Sequence, residues 1–195
     1  MADKITILSL NCRGLRDNFK RKDVFNYLRE KKYAIYCLQD THFTETEENI
    51  IRAQWGFECH FSHGRRDSRG VCILLNNNFD FKINQVIRDE DGNYIIMLIE
   101  LENNIKLTLI NIYGPNKDDP EFYKNLKTKL SDSEEEFIII CGDMNMVQDF
   151  NLDYFNYVTK NNTKARLELL DIKDEFNLID PWRTKKPRPK TIHMV

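Results

Sequence analysis

The chain lacks any surplus of positive charge: 29 lysines and arginines stand against 31 aspartates and glutamates, for a formal net charge of -2. A global attraction to nucleic acid is excluded, so any such binding must come from local patches. A disulfide framework is also lacking. The five cysteines, Cys12, Cys37, Cys59, Cys72 and Cys141, are odd in number and scattered, and no two stand at zinc-ligand spacing. Cys37, Cys72 and Cys141 lie inside apolar runs, where free cysteine behaves as a small core residue. That points to a reducing compartment, nuclear or cytoplasmic. No secretory h-region appears, because Met1-Ala2-Asp3-Lys4 leads directly into the strand-like run Ile5 to Leu10. No apolar stretch approaches membrane-spanning length, so an intracellular protein without a membrane partner is expected. No repeat, low-complexity block or linker divides the 195 residues, and a single domain over 1–195 is expected.

What is present is a soluble composition, 41% hydrophobic and 31% charged. Its local basic patches are Lys20-Arg21-Lys22, Arg65-Arg66 with Arg69, and Lys185-Lys186 with Arg188 and Lys190. Each, taken singly, is equally well a solvated surface. Short β-branched runs alternate with helical patterns. Ile5 to Leu10, Tyr33 to Leu38 and Val71 to Leu75 read as strands, and Arg21 to Lys31 and Glu45 to Gln54 as helices. Val24, Tyr27 and Leu28 share one face of the first helix. Phe79 to Val86, Tyr94 to Leu101 and Lys106 to Ile112 read as an antiparallel meander, because Asp91-Gly92 and Asn103-Asn104 suit hairpin turns. A helix from about Pro120 to Leu130, a buried strand at Phe137 to Ile140 and a helix from Ala165 to Phe176 complete the pattern. Helices with a meander imply an α/β fold with mixed sheets.

The chemistry gathers at strand ends. After Phe137 to Ile140 come Cys141-Gly142-Asp143-Met144-Asn145, where Gly142 is expected to let the backbone turn tightly and Asp143 and Asn145 to share one space. A carboxylate beside a carboxamide suits holding a water or a hydrated cation; Gly-Asp-x-Asn is also ordinary turn chemistry. The other strands end alike, in Asn11-Cys12-Arg13-Gly14, in Gln39-Asp40-Thr41-His42 and in Asn111-Ile112-Tyr113-Gly114-Pro115-Asn116. Singly, Asn11 also suits bonding its own turn, Tyr113 a core ring, and His42 a place beside a helix cap. Asp40 is harder to dismiss, since a carboxylate directly after an apolar run is costly unless paired or solvated. If the strands are neighbours, these groups converge on an oxygen-rich site. Such a site suits Mg²⁺, with Mn²⁺ as the alternative, and phosphodiester hydrolysis.

These motifs, with Gly70-Val71-Cys72-Ile73-Leu74-Leu75 and Ile179-Asp180-Pro181-Trp182-Arg183, resemble in order the endonuclease/exonuclease/phosphatase superfamily. They look most like the apurinic-endonuclease-like domain in the second open reading frame of LINE-type non-LTR retrotransposons. The resemblance implies a four-layer α/β/β/α sandwich of two mixed sheets. It implies a DNA-nicking endonuclease that leaves a free 3′-hydroxyl to prime reverse transcription, normally followed in the same polypeptide by a reverse transcriptase. By position, Asp40 matches the metal-binding carboxylate and Asp143 the residue that activates water. Asn145 and Asn11 match amides that fix the phosphate and the carboxylates, and Tyr113 the tyrosine that contacts the scissile phosphate. Arg65, Arg66, Arg69 and His42 are candidates for DNA contact.

The match departs in two places. The family usually has Glu where Asp40 stands; the shorter side chain is expected to weaken metal binding. Past Arg183 the family continues through a Tyr-Thr-Trp-like strand and a terminal Ser-Asp-His. Here nothing after Thr191 matches, and the catalytic histidine is not carried onto His193. The implied picture is a C-terminally truncated domain with an irregular basic tail over 184–195, impaired activity and missing strands. Its unpaired sheet edge would be open to self-association. A non-catalytic nucleic-acid-binding remnant and a small-molecule or lipid phosphoesterase of the same superfamily are the alternatives.

Overall fold

The structure is a computed structural model that describes residues 5–65, 68–77, 80–132, 137–148 and 162–185. In chain order the elements are β1 (Ile7–Asn11), α1 (Asn18–Lys31), β2 (Ile35–Gln39), α2 (Glu48–Trp55), β3 (Cys59–Ser62), β4 (Val71–Leu75), β5 (Lys82–Arg88), β6 (Tyr94–Glu100) and β7 (Lys106–Tyr113). They are followed by α3 (Pro120–Ser131), β8 (Phe137–Asp143), α4 (Thr163–Glu175) and α5 (Pro181–Lys185). The chain divides into two compact units, Met1–Gly114 with Glu135–Met144, and Pro115–Glu134 with Asn145–Val195.

The first unit holds both sheets, each of four strands. One runs β1-β2-β4-β3, with β1 parallel to β2 and the other pairs antiparallel. The other runs β5-β6-β7-β8, with the expected antiparallel meander and a parallel β7–β8 pair. Gly92 and Asn104 take left-handed backbone at the meander's turns, with φ of 73° and 58°, as a hairpin requires. Alternation sorts the side chains of the first sheet. Tyr36, Leu38, Cys72 and Leu74 face α1 and α2, where Phe25, Leu28, Ile51 and Trp55 cover them. Ile35, Cys37, Val71 and Ile73 face the second sheet and meet Ile95, Met97, Leu107 and Leu109. The mixed α/β class is therefore as expected.

Several local expectations are corrected. α1 starts at Asn18 because Asp17 caps it, its Oδ1 accepting from the Lys20 amide at 2.8 Å. The buried face of the helix carries Arg21, Phe25 and Leu28, and Tyr27 is 48% exposed. Arg21 is buried rather than part of a solvated patch: its guanidinium donates to the carbonyls of Leu15 and Arg16 at 2.8 and 3.0 Å and to Gln54 at 2.6 Å. β8 does not end at Ile140 but runs through Asp143. Gly142 lies inside it, at φ 134°, where a Cβ would stand 2.0 Å from the Ile112 carbonyl oxygen. Its glycine is needed for close approach of two backbones, not for a turn.

In the second unit α3 begins at a proline behind the Asp119 cap. The Asp118 carboxylate accepts from the amides of Lys164 and Ala165 at 3.3 and 2.8 Å at the start of α4. Lys127 of α3 pairs with Asp171 at 2.5 Å and with Glu175, both on α4. Among the described residues no helix is long and apolar enough to cross a membrane.

Candidate active site

The site is built on turns that continue the strand pairing of the first sheet beyond its end. Cys12 N donates to the Gln39 carbonyl at 2.9 Å, Gly14 N to Asp40 at 2.7 Å and Leu15 N to Thr41 at 2.8 Å. On the other side of the same segment, Thr41 N donates to Gly70 at 3.0 Å and His42 N to Arg69 at 2.8 Å. The turns after β1 and β2 and before β4 thus form one hydrogen-bonded platform. Its backbone is unusual: Arg13, Asp40, His42 and Arg69 have φ of 50°, 53°, 59° and 63°. Left-handed backbone at a non-glycine residue costs ~1 kcal/mol or more, and such residues cluster at functional sites.

Asp40 stands in the middle turn. Its Oδ1 lies 2.9 Å from His42 Nε2, and the two side chains are 17% and 33% exposed. The His42 ring covers Gly14, where a Cβ would come within 3.1 Å of Nδ1. The second sheet brings Tyr113 and Asp143 to the same end, as register partners on β7 and β8. Asn11 joins the two sheets: its Nδ2 donates to Asp143 Oδ2 at 2.6 Å, while its Oδ1 accepts from the Arg13 amide at 3.1 Å. The carboxamide is oriented by both bonds, with its donor directed at the carboxylate. Asn11, Asp40, Tyr113 and Asp143 therefore lie at one end of the paired sheets. Asn145 falls in the second unit, at φ 50°, with its carbonyl accepting from Asn162 Nδ2 at 2.9 Å.

A polar pair that the motifs did not single out underlies this end. Asn111 is fully buried between the sheets. Its Nδ2 donates to the carbonyls of Leu38 and Cys72, each at 3.0 Å, and its Oδ1 accepts from Gln39 Nε2 at 2.7 Å. Gln39 and Asn111 precede Asp40 and Tyr113 by one and two residues, so the clamp sets the spacing of two strand ends. Cys12, beside Asn11, plays no acid–base part: burial pushes its thiol up to about 12.

The basic loop after β3 is tied to the β5–β6 turn, a link that no sequence pattern announced. Gly92 packs so closely on Gly64 that a Cβ there would lie 2.3 Å from its nitrogen. Arg65 pairs with Asp91 at 2.5 Å, and Arg69 donates to Asn93 Oδ1 at 3.4 Å. The Asn93 carbonyl in turn accepts from Tyr113 N at 2.6 Å. His63 anchors the start of the loop, with Nε2 2.8 Å from Glu48 Oε1 and Nδ1 3.1 Å from the Phe43 carbonyl. Arg66, most of the stretch after Met146, and the tail from residue 186, with Lys186, Arg188, Lys190, Thr191 and His193, lie outside the described residues.

Among the described residues no three His, Cys, Asp or Glu side chains gather into a metal cage. A single, mostly buried carboxylate such as Asp40, 17% exposed, fits a divalent cation that keeps most of its waters and completes its shell with phosphate oxygens.

Known proteins share this chain's sequence pattern and fold. The chain is 27% identical over 187 residues to the transposon TX1 uncharacterized 149 kDa protein of Xenopus laevis; the match covers 94% of this chain and 14% of the relative. The AP endonuclease LMAP from Leishmania major shares the fold with a TM-score of 0.75 at 15% identity, over 96% of this chain and 71% of that one. An AP endonuclease from Archaeoglobus fulgidus gives 0.70 at 21%, over 94% and 75%. The endonuclease domain of TRAS1, a telomere-specific non-LTR retrotransposon, gives 0.59 at 14%, over 87% and 71%. Residues 8–182 match the Endonuclease/Exonuclease/phosphatase family, and the chain belongs to it.

Proposed function

We propose that the chain hydrolyses phosphodiester bonds of DNA with the help of Mg²⁺, as the nicking domain of a retrotransposon-type polypeptide that also carries a reverse transcriptase. The observation that carries this reading is the 2.6 Å bond from Asn11 Nδ2 to Asp143 Oδ2 across the two sheets. It holds one carboxylate oxygen in place and so orients the group that is to take a proton from water. Asp143 takes the proton of the attacking water. Tyr113, opposite it in register, donates its hydroxyl to an oxygen of the scissile phosphate. Asp40 holds the cation, which neutralises charge on the phosphate when bound. The water oxygen bonds to phosphorus as the P–O bond to the 3′ oxygen breaks, and the leaving oxygen takes a proton from solvent, giving a 3′-hydroxyl and a 5′-phosphate. The likeness to a transposon protein supports the mobile-element assignment.

Supercoiled-plasmid nicking tests this. Open circles should form with Mg²⁺ and not with EDTA, and Asp143→Ala should slow nicking by ~10²-fold or more, the usual weight of a general base. Nicking that survives Asp143→Ala refutes the mechanism. Salt-dependent DNA binding without nicking in any divalent cation would favour a binding domain instead.

A further inference from the structure

Arg13-Gly14 and Arg69-Gly70 repeat one local structure on the two outer turns of the platform. In each pair the arginine is left-handed, at φ 50° and 63°, and the glycine follows at φ 81° and 90°. Asparagine, aspartate or glycine would take the left-handed position at lower cost. Arginine contributes nothing to either turn's backbone, so its guanidinium is the reason to look for a ligand. Both turns are firmly held. The Arg13 amide is bonded by Asn11 Oδ1, and Lys20 Nζ donates to the carbonyls of Cys12 and Arg13 at 2.9 and 2.8 Å. The Arg69 carbonyl accepts from His42 N, and its guanidinium leans on Asn93. Both arginines are exposed, and no carboxylate among the described residues pairs with Arg13. The neighbouring cations are engaged, Lys20 with backbone and Arg65 with Asp91.

We propose that Arg13 and Arg69 clamp one DNA strand at two phosphates, one on either side of the phosphate that Asp40 addresses. The inference rests on the DNA-cleaving reading above and adds Arg13 to it. The topology sets the spacing. β2 lies between β1 and β4, so the two arginines spring from positions ~10 Å apart, two inter-strand spacings. Successive phosphates of one strand advance by ~3.4 Å along the axis of the duplex, so two long side chains at that separation reach phosphates flanking a central one. With a net charge of -2, the protein has no general field to hold DNA, and two rigidly mounted cations beside the site carry a large share of the attraction. They read the backbone and not the bases, so they work on any sequence.

The test is binding of the whole chain to a fluorescent duplex of about 20 base pairs, in EDTA to prevent cleavage, across a salt series. Arg13→Gln and Arg69→Gln should each lower the slope of log K against log salt by ~1, and the double variant by ~2, equally on unrelated sequences. Arg13→Lys should keep the slope. Arg13→Gly relaxes the backbone, so it should unfold no earlier than the parent and still lose the slope, which separates the contact from any role in folding. Lys22→Gln, an exposed cation on α1, should leave the slope alone. Full slopes in both glutamine variants, with the parent still binding and nicking, overturn the clamp and leave the nuclease reading standing. A parent that nicks nothing and binds no DNA at low salt overturns both.

Discussion

Replacing Asn111 by leucine keeps the side chain's branching and heavy-atom count, at a larger volume, and removes all three of its hydrogen bonds. Asn111 is 0% exposed and Gln39 1% exposed, so neither water nor a neighbour takes over. Three neutral bonds at about 1 kcal/mol each set the gross loss, and Gln39 Nε2 loses its 2.7 Å acceptor. Gln39 keeps the Cys37 carbonyl at 2.8 Å and Ser9 Oγ at 3.1 Å, and each strand carbonyl has a second lone pair. A leucine among Cys37, Val71 and Leu109 returns part of the cost as apolar burial. The net destabilisation is about 2–4 kcal/mol. For a chain of this size that lowers the unfolding midpoint by roughly 5–15 °C. Urea and thermal unfolding measure it, and a double-mutant cycle isolates the clamp. Gln39→Leu alone should also destabilise. The double variant should cost less than the sum by about 1 kcal/mol, because no amide is then left facing an apolar partner. Additivity within about 0.5 kcal/mol would show that the two amides do not act together, and the clamp between the sheets would have to be abandoned.

Two further predictions concern titration. The Glu48 carboxyl is raised by partial burial but lowered more by hydrogen bonds from His63 and Arg52, so it lies below its ordinary value. Its contribution to stability is present above the unfolded value of about 4.3 and disappears as pH falls through the lower folded value. Parent and Glu48→Gln should therefore differ at neutral pH by less than about 1 kcal/mol, given the exposure of the pair, and converge in acid; a gap that widens below pH ~4 contradicts the pairing with His63. Burial pushes Cys12 and Cys59 up to about 12 and Cys72 well above its ordinary value, and the hydrogen bond with Cys141, with burial, does the same for Cys37. At pH ~8 a thiol reagent should modify the half-buried Cys141 ahead of these four, and all of them only after unfolding. Labelling of native Cys12 at the rate of a free thiol would refute its place in the core.

Long apolar runs made most of the fold legible. Val71 to Leu75, Tyr94 to Leu101 and Lys106 to Ile112 appear as β4, β6 and β7 within a residue, since β-branched strands bounded by turn residues have few other solutions. β3 is hidden in the sequence because Cys59-His60-Phe61-Ser62 is short and half polar; it is a strand only because β4 pairs with it. Gly142 illustrates a different limit. Glycine serves equally for a tight turn and for close approach of two backbones. Only the Ile112 carbonyl opposite it decides between them. Charge patterns also mislead locally: Lys20 and Arg21 look solvated in sequence but are consumed by backbone carbonyls that the fold presents to them.

The candidate site was legible in its residue types and not in its supports. Asn11 and Asp143 are 132 positions apart, yet both could be named because each ends an apolar strand with a polar group that needs a reason. Asn93, Asn111 and Arg13 offer no such signal. Asn93 follows a turn and Asn111 lies inside a strand. Arg13 sits in a glycine turn where any long polar residue would pass unnoticed. What marks them is long-range: a backbone carbonyl that accepts from Tyr113 N, a carboxamide shared between two sheets, and an arginine in backbone that arginine does not favour. The third is the most telling. A folding sequence places asparagine or glycine at a left-handed position by default, and this chain places arginine before glycine at two of them, either side of its one candidate metal carboxylate. The Arg69–Asn93 bond gives one of the two a structural use, whereas a phosphate backbone running across the turns, as proposed above, would give both guanidinium groups a use.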